Sequence, residues 1–181
     1  MRVSALAIPE VLLIEPEVFN DKRGFFFELF RKNAFTEATG LDVDFVQDNC
    51  SRSSKGVLRG LHYQIQQAQG KLLSVVCGKV FTVAVDIRRT SASFGKWVHI
   101  ELSEDNHKQL WIPAGFAHGF FAMSDRVDFL YKTTDYYARQ HERCIAWNDP
   151  TLGIQWPLEG QTPILSASDE SGKFFAEAEV F

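Results

Sequence analysis

The sequence predicts an all-β sandwich or barrel carrying a few short helices. Period-two runs with an apolar face recur along much of the chain. Turn-forming clusters separate these runs at the spacing of a sandwich or barrel. Only two short stretches have helical character.

The segment RKNAFTEAT reads as a short helix stopped by Gly40, which supplies the left-handed residue that helix C-termini favour. After a turn at Ser54-Lys55-Gly56, KVFTVAVDIRR alternates with Phe81, Val83, Val85 and Ile87 on one face and Val80, Thr82 and Ala84 on the other. Both faces are largely apolar, as expected of a strand covered on both sides. The turn Ser93-Phe94-Gly95 leads into WVHIELS, whose Val98, Ile100 and Leu102 share a face, and Ser103-Glu104-Asp105-Asn106 ends it. RVDFLYKTT repeats the pattern with Val127, Phe129 and Tyr131, and a second helical piece follows Ser166. No linker, tandem repeat or low-complexity tract interrupts the chain, so residues 1–181 are expected to form one domain.

The chain has 181 residues, 45% hydrophobic, with 16 Phe, which is enough to build a core without disulfide or metal staples. Its formal net charge of −4 argues against a nucleic-acid partner or an anionic membrane surface. An anionic ligand would have to be met by a local cationic cluster. Cys50, Cys77 and Cys144 include no close pair, so neither a disulfide framework nor a zinc knuckle is indicated, and a reducing cytoplasm is the expected setting. The opening MRVSALAIPEVLLIEP is interrupted by Pro9, Glu10 and Glu15, unlike a signal peptide, and no apolar run approaches the ~20 residues of a membrane helix.

Two segments carry candidate chemistry: GVLRGLHYQ at 56–64 and WIPAGFAHGFF at 111–121. They resemble the paired motifs of the cupin superfamily, small jelly-roll β-barrels, through Gly56 and His62 in the first and Pro113, Gly115 and His118 in the second. In metal-binding cupins the first motif continues as HxH followed by Glu. Here Gln64 replaces the second histidine and no such glutamate follows, which leaves two imidazoles, too few for the usual site, so no metal is expected. Taken singly, each histidine reads equally well as a hydrogen-bonded polar residue near a turn. Arg59, His62 and Lys71 nevertheless concentrate nitrogen donors in neighbouring segments. Strict alternation would put Arg59 and His62 on opposite faces, so a shared site requires a bulge at Gly60.

A wider set of blocks, FNDKRGFFFE (19–28), FVQDN (45–49), VLRGLHYQ, QGKL (69–72), VAVDIRR, FGKW, WIPAGFAHGF, FLYKTTDYY (129–137) and WNDP (147–150), closely resembles the dTDP-4-dehydrorhamnose 3,5-epimerase family in order and spacing. The resemblance implies a dTDP-4-keto-6-deoxy sugar substrate, a cofactor-independent reaction and a homodimer. Inverting C3 and C5 beside a C4 ketone requires a base, an acid on the opposite face of the ring and a cation or donor for the enolate. By resemblance His62 is the base, Asp169 the carboxylate that orients it, Tyr131 the acid, and Lys71 the cation near the C4 oxygen. Arg23 and Arg59 resemble the pyrophosphate contacts, Glu28, Gln47, Asp48 and Asn49 the nucleotide and substrate contacts, His118 and Glu142 further substrate contacts, and Tyr137 the aromatic that stacks on thymine. Arg23 and Phe25 to Phe27 are expected to reach a partner's site.

The residues alone leave other readings open. Asp169 also fits a helix cap opened by Ser166, Tyr131 a core aromatic beside Phe129, and Lys71 a solvated turn lysine. The chain departs from the family pattern at Ser168, where a lysine usually precedes the aspartate; Lys173 is the candidate substitute. Cys50 stands where histidine is common and is expected to act as a small buried apolar residue. The rival functions are an epimerase of one centre, a non-catalytic nucleotide-sugar binder, and a metal-dependent cupin enzyme.

Overall fold

Strand alternation builds two facing antiparallel sheets in the computed structural model, which describes residues 1–181. The strands are β1 (Arg2–Ala5), β2 (Leu12–Glu15), β3 (Phe19–Asp21), β4 (Gly24–Phe26), β5 (Gln47–Ser53), β6 (Leu58–Gln64), β7 (Lys71–Cys77), β8 (Lys79–Asp86), β9 (Trp97–Ser103), β10 (Gln109–Ile112), β11 (Phe116–Ala122), β12 (Val127–Thr133) and β13 (Glu142–Cys144). Two short helices, α1 (Lys32–Thr39) and α2 (Ala167–Glu170), lie between and after them. The first sheet runs β1-β2-β10-β7-β12-β5, the second β13-β6-β11-β8-β9, and β3-β4 form a separate hairpin. Neither sheet closes on itself, so the jelly-roll is an open sandwich. No helix is long and apolar enough to cross a membrane.

The expected faces are the observed ones. Val80, Ala84, Val98, Leu102, Phe116 and Phe120 of the second sheet pack against Leu73, Val75, Leu110, Val127 and Phe129 of the first. Val83, Val85 and Ile87 point the other way, into a second core closed by Ile145, Leu152, Ile154 and Trp156. That second layer is the reason β8 is apolar on both faces. Asp149 ties the layer down by accepting hydrogen bonds from the Leu152 and Phe175 backbone N–H groups at 2.9 and 2.6 Å. Gly40 ends α1 at φ 73°, as its position after RKNAFTEAT predicts.

Candidate active site

The sandwich opens on one side into a cavity of about 390 Å³ with walls from both sheets. From the second sheet come Arg59 and His62 on β6, His118 on β11 and Glu142 on β13. From the first come Gln47 and Asn49 on β5, Lys71 on β7 and Tyr131 on β12, with Tyr137 just beyond β12.

Arg59 and His62 share this cavity because β6 carries one extra residue. His118 pairs with His62 and Phe120 with Arg59, so three residue steps on β6 match two on β11, a bulge at Gly60. Gly60 has φ 127°, and a Cβ there would lie 2.5 Å from the Gly119 Cα. Only glycine allows the two strands to approach this closely.

Asp169 is both a helix cap and the partner of His62. Its Oδ2 accepts from the Ser166 backbone N–H (3.0 Å) and hydroxyl (2.6 Å), completing a capping box at the start of α2. Its Oδ1 accepts from the Gly60 N–H at 2.9 Å and lies 2.7 Å from His62 Nε2. Burial alone would raise this carboxyl, but the bonds from His62, Ser166 and Gly60 outweigh it and hold the group well below the usual carboxylate range. An ionised Asp169 only accepts, so His62 carries its proton on Nε2. The lone pair then sits on Nδ1, which is buried without a hydrogen-bond partner; Glu142 Oε1 is 3.9 Å away.

On the facing sheet, burial lowers the Lys71 ammonium to about 8, with Glu142 pulling the other way. Burial raises the Tyr131 phenol, so it keeps its proton at neutral pH. His118 is driven well below the ordinary histidine value by burial first and then by Lys71 and His62, and it stays neutral. Its Nε2 lies 2.9 Å from the Thr82 hydroxyl on β8, which fixes the ring. The Tyr137 hydroxyl donates to Glu142 at 2.9 Å and its backbone N–H to Gln47 at 3.0 Å, holding the tyrosine at the cavity rim. Arg59 donates to the Ser53 hydroxyl and the Arg52 carbonyl, each at 3.2 Å. Beside the dyad, Cys144 is a neutral thiol, pushed up to about 12 by burial and then by Asp169 and Glu142.

Three residues expected at the site do not line this cavity. Arg23 sits on the exposed β3-β4 hairpin, paired with Asp21 at 2.5 Å, and Glu28 pairs with Arg31 at 3.4 Å. Asp48 faces outward, since period-two alternation turns it away from Gln47 and Asn49, and it pairs with Lys132 at 2.8 Å. The same alternation corrects the reading of Cys50, which is exposed on the outer face of β5. Lys173 is exposed and bound through its backbone to Cys144 and Ala146, outside the cavity wall, and Ser168 is exposed on α2. Gln64, in the place of a cupin metal ligand, donates to the Gln67 and Tyr136 carbonyls and accepts from the Ala138 N–H. Its amide is thus consumed in holding the loop that carries Tyr137.

The cavity also contains Ser51, Phe120 and Phe129, which the sequence reading passed over. Extending the alternation from Asn49 to Ser51, and from Tyr131 back to Phe129, would have found two of them. The Ser51 hydroxyl is buried without a partner. Removing such a group relieves a desolvation penalty, so Ser51→Ala should leave thermal stability unchanged or raise it. A loss above about 1 kcal/mol in denaturant unfolding would show that the hydroxyl has a structural partner.

Comparison with known proteins identifies one family. Residues 5–177 match the family described as dTDP-4-dehydrorhamnose 3,5-epimerase. A Pseudomonas aeruginosa protein of that name is 60% identical over 181 residues, covering 100% of this chain and 99% of the relative. A crystal structure of a dTDP-6-deoxy-D-glucose-3,5-epimerase from Legionella pneumophila in complex with dTDP-4-keto-L-rhamnose superposes with a TM-score of 0.95 at 50% identity, covering 98% of this chain and 94% of that one. A 3'-monoepimerase from Streptomyces bikiniensis in complex with dTDP-quinovose is similar at TM-score 0.89 and 33% identity, covering 97% and 88% of the two chains.

Proposed function

The chain belongs to the dTDP-4-dehydrorhamnose 3,5-epimerase family, and from that membership we propose how its cavity converts dTDP-4-dehydro-6-deoxy-D-glucose into dTDP-4-dehydro-L-rhamnose. The observation that carries the assignment of roles is the opposition of His62 and Tyr131 across one cavity, on different sheets. His62 Nδ1 removes the proton at C3 or C5, while Asp169 keeps the ring proton on Nε2 and stabilises the imidazolium that forms. The Lys71 ammonium supports the enolate oxygen at C4, and neutral His118 does not add a competing charge. Tyr131 returns a proton from the facing wall, which inverts the centre. Gln47, Asn49, Arg59, Tyr137 and Glu142 hold the nucleotide sugar.

Incubation with the 4-keto-6-deoxy sugar nucleotide in deuterated water tests this directly. Label at both C3 and C5, read by NMR, is the expected result. Label at one centre would make the enzyme a monoepimerase, and none would exclude catalysis on this substrate. Tyr131→Phe should keep solvent exchange while slowing inverted product by about 10²-fold or more. Equal loss of exchange and product would remove Tyr131 from the acid role.

Lys71 gives a pH signature with two opposite signs. Its folded value is about 8 against the usual 10.5, so turnover should fall as pH rises through about 8 and the ammonium is lost. Between these values the unfolded chain binds the extra proton, so the lysine's contribution to stability becomes more favourable as pH rises from about 8 to 10.5. The stability advantage of Lys71→Met over the unmodified protein should therefore shrink across that window in denaturant titrations. A constant difference would contradict a desolvated ammonium.

A homodimer completes the proposal. The hairpin exposes Phe19, Phe25 and Phe26 at 55, 58 and 65%, and Arg23 and Glu28 lie outside their own cavity. These residues meet substrate only if the hairpin reaches the cavity of a second copy, with Arg23 on the pyrophosphate. Three free cysteines suit a reducing cytoplasm, and the product supplies dTDP-rhamnose for cell-surface polysaccharide.

A further inference from the structure

We propose that His62, Cys144 and Asp169 form an inhibitory binding site for a thiophilic divalent cation, of which Zn²⁺ is the type. The pairing of β13 with β6 sets Cys144 directly opposite His62, and α2 brings Asp169 to the same point. One donor atom from each of the three lies within 4.8 Å of the other two. Zinc takes nitrogen, sulfur and oxygen donors at about 2.0–2.3 Å, which puts tetrahedral ligands roughly 3.3–3.8 Å apart. To enclose the ion, the widest pair would close by about 1 Å, while His62 Nε2 and Asp169 Oδ1, now 2.7 Å apart, would exchange their hydrogen bond for the metal and open by roughly 0.6 Å, with water or substrate oxygen in the fourth position.

The surroundings favour a cation. Asp169 is buried with its carboxyl turned to His62, and Glu142 lies 3.9 Å from the far nitrogen of the His62 ring, so two carboxyl groups flank the point. Cys144 has no part in the proposed reaction, and the only hydrogen bond of its thiol is a 3.5 Å contact with the Ile145 carbonyl. The site differs from the metal position of cupins, because Gln64 is engaged with backbone groups.

The proton balance explains the inhibition. The metal takes the Nε2 lone pair, so the ring proton moves to Nδ1, and the thiol proton is released to solvent as Cys144 becomes a thiolate. One proton leaves per ion bound. The Nδ1 lone pair that would abstract the substrate proton no longer exists. This last step rests on His62 acting as the base, whereas binding itself does not.

The test uses the full chain and the metals alone. Titration with Co²⁺ should develop a thiolate-to-cobalt charge-transfer band, and Zn²⁺ calorimetry in buffers of different ionisation enthalpy should give one ion bound and one proton released per chain. Zn²⁺ should stop turnover over the same concentration range, reversibly with chelator. Cys144→Ala, with Cys144→Ser as its conservative companion, should keep turnover in chelator and raise the Zn²⁺ midpoint at least about tenfold. Absence of the thiolate band, or an unchanged midpoint in both variants, would overturn the site. Zinc held with a thiolate band while deuterium exchange continues would overturn the inhibition and, with it, the role of His62 Nδ1.

Discussion

His62→Asn should abolish deuterium incorporation at both C3 and C5 and lower epimerisation by on the order of 10²–10⁴-fold, the usual contribution of a positioned general base. The substitution is chosen for what it keeps. The asparagine is too short to replace Nε2 as a donor to Asp169, but the carboxylate retains its bonds from Gly60 and Ser166, so the capped helix stays in place. What disappears is the Nδ1 lone pair facing the cavity. Both centres should fail together, because both flank the same ketone and this ring is the base assigned to each. Loss at one centre with exchange retained at the other would require a second base, for which Glu142, 3.9 Å from Nδ1, is the nearest carboxylate. Near-normal exchange at both would remove His62 from the mechanism.

Asp169→Asn should reduce turnover almost as far, on the order of 10³–10⁴-fold, by analogy with carboxylate removal from a hydrolase triad. A carboxamide can donate as well as accept. It can therefore offer an N–H to Nε2 and favour the tautomer with the proton on Nδ1, where a lone pair is needed. The same change weakens the cap of α2 and should cost roughly 1–3 kcal/mol of stability, since charge-assisted bonds to a buried group are lost. Ser166→Ala separates the two roles. It removes the cap hydroxyl at about 1 kcal/mol but leaves the bonds from Gly60 and His62 to Oδ1. Turnover in Ser166→Ala should fall only a few-fold. If the two variants lost activity in parallel, Asp169 would act only as a cap. The two readings of this aspartate are thus one geometry: Oδ2 caps the helix and Oδ1 orients the histidine.

The faces of the long strands were legible because side-chain direction in a strand has a period of two and needs only local sequence. That rule placed Phe129 beside Tyr131 and predicted the two apolar faces of β8, which the sandwich and its outer layer cover. It also contained information that the block QDN obscured. Asp48 lies between two inward residues and so faces out, while Ser51 faces in. Gly60 was the point where alternation had to fail, and the bulge there is what lets Arg59 and His62 share a wall.

The sequence by itself determined the family, the all-β class and most of the residue types the chemistry requires, because motif blocks and alternation are properties of neighbouring residues. Only the tertiary structure decided which of those residues meet. Asp169 reaches His62 across 107 positions, and Cys144 comes opposite that histidine through the pairing of β13 with β6. It likewise separated Arg23 and Glu28 from their own cavity. These contacts depend on sheet pairing and on the packing of the C-terminal layer, which follow from burial summed over the whole core and leave no signal in any short stretch of sequence.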